Sequence, residues 1–166
     1  MTWGIPTDLF VKIHVALSLI GIASGLIVLF AMVGGRLLAG WTAVFLATTA
    51  LTSITGFPIP PVVLDPARIV GIISLVALAL AIAALYLFHL AGAWRWIYVV
   101  TALVALFFNC FVAVIQSFDK IPSLHAFAPT QDAPPVHIAQ LVLLGVFVIL
   151  GIVALIRFHP KLPAAA

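Results

Sequence analysis

The segment 68–90, RIVGIISLVALALAIAALYLFHL, decides the fold class, because its single formally charged residue stands at its first position. A membrane-crossing helix needs about 20 mainly apolar residues to traverse a hydrocarbon core of roughly 30 Å. The whole chain shares this character: of its 166 residues 66% are hydrophobic and only 7% are charged, with a mean hydropathy of +1.38. Soluble domains carry about 25% charged residues, so the composition predicts an integral membrane protein in contact with the lipid bilayer.

Similar stretches recur along the sequence and predict five membrane helices, at 9–33, 38–56, 68–90, 94–118 and 136–157. The first is expected to remain a helix, because Asp8 and Lys12 stand where a cleaved signal peptide would begin with a purely basic region. No shift in composition marks a second domain. We therefore predict an all-α integral membrane protein, with residues 1–166 forming a single bundle of five transmembrane helices.

Five spans would place the two termini on opposite sides of the membrane. The first side would hold the N-terminus, the link 57–67 and the loop 119–135, and the second side the turns 34–37 and 91–95 with the C-terminal tail. Basic residues divide almost evenly, with Lys12, Arg68 and Lys120 on the first side and Arg36, Arg95, Arg157 and Lys161 on the second. This slight excess of basic residues on the second side, together with the position of all four acidic residues on the first, predicts an outside N-terminus and a cytoplasmic C-terminus in a multi-pass inner (cytoplasmic) membrane protein.

The longest polar stretch is KIPSLHAFAPTQDAPPVH, residues 120–137, which contains four prolines. Proline fixes φ near −65° and restricts the residue before it, so this loop is expected to be extended, stiff and ordered. The same reasoning applies to GFPIPPVVLDPAR, residues 56–68. The loop 119–135 is therefore predicted to act as a shaped, outward-facing lid.

Polar and small residues inside the predicted spans form a second pattern. His14, Ser18, Gly21 and Gly25 recur at steps of four, three and four, so they share one helical face that should look into the bundle. Gly21 and Gly25 also form a GxxxG pair, through which the protein could oligomerise or meet another membrane protein. The hydroxyls of the second span, at residues 48–55, are interpreted mainly as packing groups bonded to their own helix.

The first side collects three of the five histidines and all four acidic residues. Ionisable residues at membrane depth are candidates for function, and imidazole is a ligand for haem iron, copper, zinc and iron. We predict His14, His137 and His125 as ligands of haem b or of a transition metal (Cu, Fe or Zn). The predicted surrounding or proton-path residues are Asp8, Asp65, Arg68, Asn109, Gln116, Asp119, Asp132 and Gln140.

This site predicts a membrane redox protein, an oxidoreductase that would meet a quinone laterally. Two alternatives stay open: a small proton-coupled solute or ion transporter, with the second helix and Asn109 along its path, and a non-catalytic membrane subunit or assembly factor. Several classes are disfavoured. The sequence has no HExxH helix, no nucleophile elbow and no phosphate-binding glycine loop, its single cysteine excludes a disulfide framework, and no basic cluster indicates nucleic acid.

Overall fold

In a computed structural model that describes residues 1–60 and 66–160, the described part of the chain is built mainly from helices. The helices are α1 (Thr7–Val33), α2 (Ala39–Gly56), α3 (Pro66–Ile82) with a π-helical extension (Ala83–Leu87), α4 (Trp94–Lys120), the short α5 (Pro122–Phe127) and α6 (Pro134–Arg157). Asp65 and Lys161, which entered the sequence predictions, lie outside the described residues.

Four helices in the described ranges are long and apolar enough to cross a membrane: Thr7–Val33, Pro66–Leu87, Trp94–Lys120 and Pro134–Arg157. These match four of the five predicted spans. The fifth, α2, forms at the predicted position and has 18 residues, but its threonines and serine lower its hydropathy. The prediction of a multi-pass helical membrane protein is therefore confirmed, whereas the fifth crossing is taken up below as a proposal.

Helix α1 packs mainly against α2, and α4 packs against α3, α6 and α1, so α4 lies centrally in the bundle. The closest approach occurs at Gly25. A Cβ added there would lie 2.5 Å from Leu106 Cδ1 and 2.8 Å from Phe45 Cδ2. Phe45 and Leu106 are each 1% exposed, so the three helices meet without a gap. Only glycine permits the backbone of α1 to come this near.

The predicted inward face of α1 is thus confirmed for its glycines, since Gly21 and Gly25 are both buried. The prediction that this face mediates oligomerisation is wrong. Side chains of α2 and α4 already occupy it, among them Thr49 and Asn109 beside Gly21.

The third span ends earlier than the predicted residue 90. The π-helical turn Ala83–Leu87 is followed by His89 and Leu90, which have φ of 48° and 56°. This left-handed pair stops the helix, and the Leu90 N–H donates to the Ala84 carbonyl at 2.9 Å. Phe88 then stacks on Trp94, with ring centroids 3.7 Å apart and planes within 2°. The stack fixes the turn into α4.

Two arginines bind the carboxyl ends of helices. Arg68 donates through Nη2 to the Phe57 and Ile59 carbonyls, at 3.2 and 2.7 Å, beyond the end of α2. Arg95 donates through Nη1 to the Leu155 and Phe158 carbonyls, at 3.1 and 2.8 Å, at the end of α6. Guanidinium groups at these ends satisfy carbonyls that have no partner within the helix and oppose the negative end of the helix dipole.

The proline-rich loop differs from its prediction. Instead of an extended lid, residues Pro122–Phe127 form α5, while α4 continues to Lys120 and α6 begins at Pro134. Proline at the first position of a helix loses no hydrogen bond, because that N–H has no helical partner, and its fixed φ suits the helix. The prolines at 122 and 134 therefore start helices, although proline inside a loop favours an extended chain.

We expect Gly25→Val to destabilise the protein by about 1 to 3 kcal/mol, because its side chain would displace Phe45 and Leu106 in a closed core. Gly145→Val is the matched control, since nothing lies within 4 Å of a Cβ there. Its effect should stay within about 0.5 kcal/mol. The free energy of unfolding, measured by titrating purified protein with denaturing detergent, compares the two. Equal free energies of unfolding for the two variants would mean that α1 does not pack as described.

Candidate polar site within the helix bundle

His14 is held by α2. Its Nδ1 lies 2.9 Å from the Thr55 hydroxyl, and its Cε1 lies 3.4 Å from the position of a Cβ on Gly56, an ordinary van der Waals distance. The Thr55 hydroxyl donates its own proton to the Leu51 carbonyl at 2.7 Å. Thr55 must then accept from His14, so Nδ1 carries a proton and, in the neutral ring, Nε2 keeps a lone pair.

One helical turn deeper, Ser18 and Asn109 join α1 to α4. The Ser18 hydroxyl donates to Asn109 Oδ1 at 2.7 Å, and Asn109 Nδ2 donates to the Ser18 carbonyl at 3.4 Å. Asn109 is buried, so this reciprocal pair satisfies a strongly polar group at membrane depth. Asn109, predicted as a surrounding or proton-path residue, thus bonds between helices with Ser18 as its partner.

Thr49 completes the site and differs from its neighbours in α2. The hydroxyls at positions 48, 52, 53 and 55 all donate to carbonyls four residues earlier in α2, at 2.7 to 3.1 Å, as predicted. The Thr49 hydroxyl is 2% exposed at the residue level and has no hydrogen-bond partner among the described residues. It faces Gly21: a Cβ added there would lie 2.9 Å from Thr49 Oγ1 and 3.0 Å from Asn109 Nδ2.

We call His14, Ser18, Thr49, Thr55 and Asn109 the polar cluster. It follows the α1–α2–α4 interface inward from the first side and stops at the contact of Gly25 with Phe45 and Leu106. Beyond that contact lies a second buried polar pair, Thr42 and Tyr98, each 0% exposed. Neither hydroxyl has a hydrogen-bond partner in the part of the chain that the structure describes. Polar groups thus approach one apolar barrier from both ends of the bundle.

The three predicted histidine ligands occupy different surroundings. His14 is bound to α2. His125, in α5, lines a small crevice together with Asp119, Thr130 and Gln131. His137 is exposed in the first turn of α6. In the ranges 1–60 and 66–160, no three His, Cys, Asp or Glu side chains are grouped so that they could hold a metal ion. The haem and metal assignments stay predictions.

The residues predicted to surround the ligands also lie apart from one another. Asp8 pairs with Lys12 at 2.7 Å and Asp119 with Lys120 at 3.4 Å, both at exposed positions. Asp132 and Gln116 are exposed, and Arg68 binds carbonyls at the end of α2. Gln140 donates through Nε2 to the Phe111 carbonyl at 3.0 Å, between α6 and α4. Among the predicted surrounding residues that the structure describes, only Asn109 belongs to the polar cluster.

Comparison of the chain with models of known families, with curated proteins and with solved structures gave no match. Any function of the site must therefore follow from its own residues.

A double-mutant cycle tests the link between Ser18 and Asn109. The coupling free energy between the two residues, obtained from Ser18→Ala, Asn109→Ala and the double variant, should be about 0.6 to 1.7 kcal/mol, as for hydrogen bonds between membrane helices. Ser117→Ala is the control, because that hydroxyl only returns to the Ala113 carbonyl of its own helix. Combined with Asn109→Ala it should show no coupling. A zero coupling between Ser18 and Asn109 in the free energy of unfolding would contradict the pair.

Proposed function

We propose that the protein moves protons across the membrane, alone or together with a small polar solute, and that the polar cluster is the binding station inside the bundle. The observation that carries the proposal is the Thr49 hydroxyl, which is buried beside Asn109 and has no hydrogen-bond partner within residues 1–60 and 66–160. A buried polar group without a partner is costly, so such a group calls for water or a polar solute. A transport path can use such a group to hold water or a polar solute.

His14 supplies the entrance. Imidazole gains and loses protons near physiological pH, and Thr55 holds the ring so that Nε2 retains the lone pair that accepts a proton. The half-buried position of His14 lets it exchange with the first side, and Ser18 and Asn109 lie one turn further in. Hydroxyl and amide groups can relay a proton through water or hold a small solute.

The barrier between the two polar regions supports a gated path rather than an open pore. Gly25, Phe45 and Leu106 are buried in close contact, and the Thr42–Tyr98 pair lies on their far side. An apolar constriction blocks ions by excluding water, and its opening admits them. Separation of α1 from α2 and α4 at Gly25 is the movement that would join the two regions.

The proposal includes five crossings, with the N-terminus outside and the C-terminus cytoplasmic. Helix α2 has 18 residues, contributes Thr49 and Thr55 to the site, and packs against α1. All described carboxylates lie toward the first side. The second side has exposed aromatic residues typical of a membrane interface, namely Trp41, Tyr86 and Trp96.

A haem- or metal-dependent redox function is the second candidate. The observation in its favour is the Nε2 lone pair of His14, which is the atom a haem iron or a transition metal would take. His125 and His137 remain the predicted further ligands, and a quinone the predicted redox partner.

Proton movement can be measured in liposomes that enclose the dye pyranine, with a potassium diffusion potential set by valinomycin. Wild-type protein should acidify or alkalinise the interior according to the sign of the potential. His14→Ala and Asn109→Leu should each lower this flux by about tenfold or more, because each removes a group of the path. Ser117→Ala, outside the cluster, should leave the flux unchanged.

Absence of protein-dependent flux at both signs of the potential would refute proton movement. An equal flux in wild type and both cluster variants would refute the assigned path. The same samples report on the second candidate: a Soret band or stoichiometric metal lost in His14→Ala would favour redox chemistry.

Single cysteines test the five crossings in a Cys110→Ala background. An impermeant maleimide added to intact cells should label Pro60→Cys and Thr130→Cys, which lie on the outside in the proposed topology. Arg36→Cys should react only after the membrane is permeabilised. Labelling of positions 36 and 60 from the same side would show that α2 does not cross. Exclusive labelling of position 130 from the cytoplasm would reverse the orientation.

A further inference from the structure

Three arginines converge on the second side, where α1 ends, α4 begins and α6 ends. Gly35, with a φ of 73°, lies directly against the last residue of α6, since a Cβ added there would be 3.0 Å from the Arg157 carbonyl oxygen. Arg36 follows Gly35, so its backbone is held beside that of Arg157. Arg95 reaches the same place, because its Nη1 donates to two carbonyls at the end of α6. We call Arg36, Arg95 and Arg157 the arginine patch.

The positive charge of this patch is not neutralised by the described part of the protein. Arg36 and Arg157 are exposed, and neither guanidinium has a hydrogen-bond or ion-pair partner within residues 1–60 and 66–160. Arg95 is half-buried and uses one nitrogen on the carbonyls, which leaves it further N–H donors. The described carboxylates all lie toward the opposite end of the bundle, namely Asp8, Asp119 and Asp132.

Neighbouring residues place the patch at the depth of the lipid headgroups. Trp41 and Trp96 stand in the first turns of α2 and α4, on the second side, and are 49% and 50% exposed. Tryptophan is enriched where headgroups meet the hydrocarbon of a bilayer. Ile156, the residue before Arg157, is apolar and 68% exposed, so α6 leaves the hydrocarbon at this level. Long arginine side chains at helix ends extend into the headgroup region.

The charge and the depth together specify the ligand. A guanidinium group binds phosphate through paired N–H donors, and phosphate is the anionic group that a bilayer offers at this depth. A zwitterionic headgroup brings its own cation beside the arginines, whereas an anionic headgroup does not. We propose that the arginine patch binds the headgroup of an anionic phospholipid, with its phosphate on Arg36 and Arg157. The site is separate from the polar cluster and does not rest on the proposed function.

Native mass spectrometry of the full-length protein, released from detergent with a known amount of added lipid, measures the proposed preference. Phosphatidylglycerol should bind about tenfold more tightly than phosphatidylcholine with the same chains, because the two lipids differ in headgroup charge. Glycerophosphoglycerol, the same anionic headgroup without chains, should not displace the lipid at equal concentration. Equal binding of the two lipids would overturn the proposal, and displacement by the free headgroup would show a site for a soluble phosphate instead.

Variants locate the site. Arg36→Gln and Arg157→Gln should each lower the preference for phosphatidylglycerol about fivefold, and the double variant should remove it. Lys12→Gln removes the same charge on the first side, from a lysine paired with Asp8, and should leave the preference unchanged. A preference that survives in the double variant, or that falls equally in Lys12→Gln, would refute the site.

Thermal unfolding in nanodiscs separates lost binding from lost folding. Neither Arg36 nor Arg157 is bonded to the described part of the chain, so the double variant should match the Tm of the wild type in phosphatidylcholine. Phosphatidylglycerol should raise the Tm of the wild type alone, because a ligand of the folded state stabilises it. The same rise in the double variant would contradict binding at the arginine patch.

Discussion

The close approach of α1 to α2 and α4 at Gly21 and Gly25 is the constraint on which the rest of the structure depends. In a bilayer the hydrophobic effect does not drive helices together, because lipid tails are as apolar as the side chains they would replace. Packing at van der Waals distance and hydrogen bonds between helices must do so instead. Gly25 permits the packing at van der Waals distance. The two glycines also bring the helix backbones near, which sets the distance at which Ser18 reaches Asn109.

This arrangement also explains why one hydroxyl of α2 differs from the others. A hydroxyl that returns to its own helix costs little, and Thr48, Thr52, Ser53 and Thr55 all do so. Thr49 instead lies at the interface, opposite Gly21, where both neighbouring helices are close. Polar groups in such a place stabilise the bundle when they are paired, as Asn109 is with Ser18, whereas the Thr49 hydroxyl has no hydrogen-bond partner among the described residues.

The sequence was informative wherever a periodic pattern met a strong local rule. Hydropathy located all of the long helices within a few residues, and the spacing of His14, Ser18, Gly21 and Gly25 correctly gave the buried face of α1. This spacing could not reveal which helices that face contacts. Pairing Ser18 with Asn109 and His14 with Thr55 depends on tertiary packing between residues 91 and 41 positions apart. The clustering of histidines was inferred from topology alone, which fixes the side of the membrane but not the distance between side chains.

Local rules also failed where two of them compete. Proline argued for an extended loop, yet at the first position of a helix it is favourable, and Pro122 and Pro134 both take that position. For the third span the apolar run continues to residue 90, but the left-handed backbone at His89 and Leu90 ends the helix first. No residue type in that run signals the turn, since neither position is glycine.

Helix α4 separates the polar cluster from an open apolar groove between α4 and α6. Asn109 bonds to α1, whereas Phe107, two residues earlier, lines the groove. Two residues correspond to a rotation of about 200° in a helix, so the two regions lie on opposite sides of the same rigid element. Because α4 also provides Leu106 to the contact with Gly25, a shift of α4 toward the groove would loosen the apolar barrier that separates the two polar regions.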